Sequence, residues 1–163
     1  MPEPINKYAF EKETETTTIM PTKAKHEYDA NFKLKADKEI TISTDNFLTK
    51  VNYIKNHMSE FADTMITIDG LFGRYTSWDG TFHFPMIYRN GPACCGDDQY
   101  GGFFLVNFDE TQFNLDDWIE VKGKPFNYEH EDSEGEKFNY PFLLVDTIRV
   151  LSVRERKAEM VND

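Results

Sequence analysis

The chain reads as mainly β: a five-stranded antiparallel barrel of the OB type, preceded by one amphipathic helix. Three observations predict it. Five stretches rich in β-branched and aromatic residues lie between 64 and 153, separated by short turns. The first stretch carries Gly70 and Gly73, as a strand that coils or bulges does. Ahead of them, Phe47, Leu48, Val51, Ile54, Met58 and Phe61 recur at spacings of three and four, one apolar stripe on a helix. A β-sandwich is the alternative architecture.

Taken in order, residues 1–25 read as a polar tail. Glu11 to Thr18 is charged and Thr-rich, with almost nothing to bury against the entropy of ordering it. Residues 26–158 read as a single OB-like domain. Ala30, Phe32, Leu34 and Ala36 alternate with polar residues, as do Glu39 to Ser43, so one short strand or two are expected there. The helix is expected over about 45–60, capped by Thr44 or Asp45, whose short oxygen can take an orphan backbone N–H. Strands follow at Thr64–Tyr75 and Thr81–Tyr88, joined by a tight turn at Ser77-Trp78-Asp79-Gly80. Pro85 lacks a ladder donor and points to an edge or a bulge. The third strand is Gly102–Phe108 and the fourth runs from Trp118 to Tyr128. After a charged tip over 129–137 the fifth runs from Phe138 to Val153, broken by Pro141.

Length and charge narrow the function. A chain of 163 residues is one domain, or one domain plus a tail, and its 14 Phe and 8 Tyr supply a core. The formal net charge of −11 argues against nucleic acid as a partner, because such binders displace phosphate counterions with clustered Lys and Arg. No apolar run reaches the length of a membrane span. Met1-Pro2-Glu3-Pro4 has neither the basic start nor the apolar segment of an export signal, so the expectation is a cytoplasmic protein or one whose signal has been replaced.

The densest chemistry lies between Tyr88 and Gly102. The only two cysteines, Cys94 and Cys95, are adjacent; Asp97 and Asp98 follow, Arg89 stands five residues upstream of Cys94, and glycines bracket the segment. Three readings are open. Thiolates with Asp98 suit a soft metal such as zinc, with Asp97 and His83 as further donors, although adjacent cysteines chelate one ion poorly. A vicinal disulfide would be a redox or ligand-gripping device outside the cytosol. A buried, inert pair plugging the barrel end is the third. Arg89 is expected to pair with Asp98 and brace the loop. Tyr75, Trp78, Tyr88 and Tyr100 are candidates for an exposed aromatic binding face. No Ser/His/Asp pattern, phosphate-cradling loop or HExxH motif is present.

The order Ile66-Thr67-Ile68-Asp69-Gly70, Tyr88-Arg89, Cys94-Cys95, Asp98 and Asp117-Trp118-Ile119-Glu120-Val121-Lys122-Gly123 resembles the C-terminal domain of YcgQ-like proteins, an uncharacterised bacterial family. The likeness covers about residues 45–153. It implies an OB-like barrel on the extracytoplasmic side of a membrane, in a family often paired with a permease. The Thr-rich tail stands where that family has membrane helices, and looks like the spacer of a lipid-anchored surface lipoprotein. The expected function is therefore a surface-tethered binding domain, with a permease or other cell-envelope protein as partner. A thiol-dependent redox protein or enzyme using Cys94 or Cys95 is the alternative.

Overall fold

The computed structural model describes residues 32–43, 46–91, 99–152 and 155. In chain order these form β1 (Glu39–Ile42), α1 (Phe47–Asn56), β2 (Met65–Thr76), β3 (His83–Gly91), β4 (Gln99–Val106), β5 (Trp118–Glu131) and β6 (Lys137–Val150). Single 3-10 turns sit at Met58–Phe61 and Glu110–Gln112. The expected tail and the alternation at 26–31 lie outside the described residues, and from 32 to 38 the chain carries no strand.

The apolar stripe makes α1 as expected, burying Phe47, Leu48, Val51 and Ile54. The helix is shorter than its periodicity. His57 turns away with φ −133°, and Met58 and Phe61 continue the buried stripe on a 3-10 turn. The expected caps Thr44 and Asp45 lie outside the described residues. Asn46 holds the N-cap position in the left-handed region at φ 57°, without a side-chain capping bond.

β2 is the strand the barrel is built on. Its first half pairs with β5, Ile66 opposite Gly123 through Leu71 opposite Trp118. Its second half pairs with β3, Leu71 opposite Tyr88 through Thr76 opposite His83. The exchange of partners falls beside Gly70. A Cβ there would lie 2.7 Å from the Tyr88 carbonyl oxygen, so only glycine lets the strands cross this closely.

β3 and β4 run antiparallel, as do β5 and β6, and β4 meets β6 in parallel over Phe104–Val106 and Phe142–Leu144. The ring β2-β3-β4-β6-β5-β2 is thereby closed, and β1 lies parallel along the remaining edge of β2. The OB-like barrel holds and the sandwich does not. The barrel has the five strands expected, and β1 is the short strand expected at Glu39 to Ser43; the correction is to the pairing, which has two parallel joints, β1–β2 and β4–β6. Local patterning misses these because parallel neighbours are joined only through long connections.

Nor does Pro141 break the last strand. It pairs with Asn127, one residue before the ladder to β4 begins at Phe142. Pro85 likewise stands one residue before the β4 ladder begins at Met86. Each proline sits where its strand has a neighbour on one side only, so no ladder bond is lost there.

Alternate residues face opposite sides of the strands, and two apolar clusters result. The first runs round all five barrel strands through Ile68, Phe72, Ile87, Phe103, Val121 and Leu143, and takes in the buried face of α1. The second is aromatic and holds Tyr75, Phe82, Phe104, Trp118, Tyr140 and Phe142. In it the β2–β3 and β5–β6 hairpins come together, with Phe82 stacked on Tyr140 at a centroid distance of 3.9 Å. Asp79 fastens the two tips. Its Oδ1 accepts from the hydroxyls of Ser77 and Thr81, and its Oδ2 accepts from the Ser133 N–H of the other hairpin at 2.8 Å. The Thr81 hydroxyl also bonds His130 Nε2 at 2.8 Å.

Candidate functional site

β3 and β4 lead into and out of the loop that carries the thiols. Just below it, Arg89 pairs with Gly101 across the ladder, and its side chain is fully buried. A lone guanidinium in an apolar strand needs a counter-charge, because an unpaired buried charge is far more costly than a paired one. Asp69 supplies it. Nη2 donates to Asp69 Oδ1 at 2.7 Å and Nε donates to the Asp69 carbonyl at 3.0 Å.

The guanidinium lies between two rings, 5.0 Å from the centroid of Phe47 and 5.1 Å from that of Trp118, a cation–π arrangement on both sides. Trp118 Nε1 reaches the other Asp69 oxygen at 3.4 Å. Burial lowers the proton affinity of Arg89, and the Asp69 charge and hydrogen bond oppose that shift. One cluster thus ties together α1, β2, β3 and β5.

Cys94, Cys95, Asp97 and Asp98 lie outside the described residues, and so does the expected Arg89–Asp98 pair. Among the described residues the carboxylate partner of Arg89 is Asp69. Tyr100 stands at the base of the loop, opposite Asn90 and edge-on to Tyr88 at 6.4 Å.

His83 stands at the far end of β3 from the loop. It is the first residue of β3, shares a hydrogen bond with the Thr76 hydroxyl, and is exposed. The strand separates it from Gly91 by about 26 Å at 3.3 Å per residue. The expected role of His83 as donor or base beside the thiols falls on Cys94 and Cys95, which lie outside the described residues. The expected aromatic face is also divided: Tyr75 and Tyr88 are buried, while Trp78 is 58% exposed.

Sequence reading missed Asp69, Trp118 and Phe47 as a set. The signal available was a pair of local anomalies, an acid interrupting Ile66-Thr67-Ile68 and an arginine ending Met86-Ile87-Tyr88. Among the described residues no three His, Cys, Asp or Glu side chains group to hold a metal. No described helix is long and apolar enough to cross a membrane.

No curated protein matches the chain. Two crystal structures of the mitochondrial single-stranded DNA binding protein Rim1 from S. cerevisiae, one of them selenomethionine-labelled, are similar at 18% identity. Each alignment covers 54% of this chain and 94% of that one, with TM-scores of 0.30 and 0.29. The family described as DUF1980 C-terminal domain matches residues 19–156. On that match, which spans most of its length, the chain belongs to the DUF1980 family.

Proposed function

We propose that the chain is a non-enzymatic binding domain of the cell envelope, held at the membrane surface, which takes its ligand on the loop between β3 and β4. The observation that carries this reading is the clamp beneath the loop. An ion pair between a fully buried Arg89 and a largely buried Asp69 costs desolvation that an apolar pair would not. Its return is a fixed geometry where β3 enters a segment of glycines, acids and thiols.

The ligand chemistry of that segment favours zinc on Cys94 and Cys95 with Asp98, flanked by Asp97 and Tyr100. The position of His83 counts against the thiol-enzyme alternative, which needs a neighbouring base to form thiolate. The polar, Thr-rich stretch near the start supports a tether, and a permease or other envelope protein is the partner this reading implies.

Metal content and thiol titration of the purified chain after zinc exposure test it. About one zinc per chain, lost on Cys94→Ser/Cys95→Ser with the melting temperature of the apo form unchanged, is expected. Two freely titrating thiols and no zinc uptake overturn the metal assignment, and fast alkylation of one thiol at neutral pH favours an enzyme. Recovery of the tagged native protein in the soluble fraction, without membrane association, overturns the localisation.

A further inference from the structure

At the other end of β3 from the thiol loop, the tips of the β2–β3 and β5–β6 hairpins enclose a cleft of about 110 Å³. That is room for several heavy atoms, more than a bare ion fills. Its apolar wall is aromatic: Tyr75, Trp78, Phe138 and Tyr140. The carboxylates of Asp79, Asp132, Glu134 and Glu136 line the rest together with Ser77 and His130, and among the described residues no Lys or Arg does.

Two of these acids have structural work. Asp79 latches the tips, and Asp132 Oδ1 accepts the N–H groups of Glu134 and Glu136 within its own turn. The other two carboxylates enter no ion pair among the described residues.

An acidic turn alone would be a solvated tip. Tyr140 makes this one different. Its side chain is 97% buried, at 3% exposure, and it opens on the cleft. The ring is held against Phe82, while the hydroxyl, which no described residue bonds, is not among the buried polar atoms and so opens on the cleft. Burial and the charges of Asp79 and Asp132 keep it protonated. Trp78 adds a second sign: its indole stands 58% exposed at the same cleft, outside both apolar clusters.

An electron-rich aromatic wall, a ring of negative charge and an unused tyrosine oxygen together match one chemistry. We propose that this cleft binds an alkylammonium group, with Trp78 and Tyr140 against the cation, the Tyr140 oxygen accepting an N–H, and Glu134 and Glu136 supplying counter-charge. The source is a free amine or a lysine side chain of another protein, and the overall negative charge of the chain draws either one in. The inference is independent of the loop reading, and either can fail alone.

Amide chemical shifts of residues 77–81 and 130–137 test it. The full chain is titrated with 1-aminobutane, with Nα-acetyl-lysine amide, and with 1-butanol as an uncharged control of similar length. Both amines should give saturable shifts confined to the tips, and butanol none. Tighter binding of the lysine derivative identifies a protein side chain as the source, and tighter binding of aminobutane a free amine. Tyr140→Phe should weaken binding roughly fivefold, the worth of one hydrogen bond. Trp78→Ala, at an exposed position that leaves the melting temperature unchanged, should weaken it at least as much. No saturation by either amine overturns the proposal. So do equal shifts with butanol, or wild-type affinity in both variants.

Discussion

Replacing Asp69 by Asn keeps the shape of the side chain and removes the carboxylate charge that faces the buried Arg89 guanidinium. The pair is short, 2.7 Å, and the arginine side chain has no exposed surface, so water cannot substitute for the lost charge. Truncating one partner of a buried pair costs about 3–5 kcal/mol. The amide oxygen of Asn still accepts from Nη2, which places Asp69→Asn lower, at about 2–3 kcal/mol. With a urea slope near 2 kcal/mol per M, the unfolding midpoint should fall by roughly 1–1.5 M.

Far-UV circular dichroism is the proper readout, since Trp118 touches the site and its fluorescence would report the mutation itself. Arg89→Met should cost at least as much, because Arg89 also loses its two ring contacts. The double variant Asp69→Leu/Arg89→Met should recover part of the loss, as apolar replacements of buried pairs do. A midpoint shift under roughly 0.3 M for Asp69→Asn, or a double variant no more stable than Arg89→Met alone, would refute the clamp.

Three further outcomes are expected. A Cβ on Gly102 would lie 1.9 Å from the Ile87 carbonyl oxygen and 2.8 Å from the Tyr88 Cα, both backbone; one on Gly101 meets only the Leu48 side-chain tip at 2.9 Å. Gly102→Ala should therefore lower the melting temperature by about 10 °C and Gly101→Ala by a few degrees at most, and equal effects would contradict the close β3–β4 approach.

Tyr140 is pushed up to about 12, by burial first and then by the charges of Asp79 and Asp132. A raised folded value means stability present below the unfolded value near 10 and lost as pH rises between the two, so urea midpoints should fall across pH 10–12 more steeply in the wild type than in Tyr140→Phe. Asp79 is held well below the usual carboxylate range, by the Ser133 N–H first. Its contribution is present above about pH 4 and lost as pH falls further, so the protection of the tip amides relative to their intrinsic exchange should drop in acid, and in Asp79→Ala at neutral pH.

The sequence carried the barrel because its signals are local. Gly70 marks the coil of β2, Asp79-Gly80 marks a turn, and the stripe from Phe47 marks α1. What it hid depends on separation along the chain. Arg89 and Asp69 are 20 residues apart, and Trp118 and Asp69 are 49 apart, with no periodicity linking them. His83 stands eleven residues before Cys94, and the eight from His83 to Gly91 alone span about 26 Å along β3. Pro141 looked like a breaker because only the tertiary fold shows that it stands just ahead of the β4 ladder, with β5 as its one neighbour.

The parallel joint between β4 and β6 holds over three residue pairs, whereas β5 and β6 share a hairpin of thirteen. A hoop yields at its shortest joint. Amides of Phe104 to Val106 and Phe142 to Leu144 that bridge this seam should exchange with solvent before the hairpins on either side do. A brief opening there would leave both hairpins intact, so the molecule has a built-in way to part and reclose without unfolding.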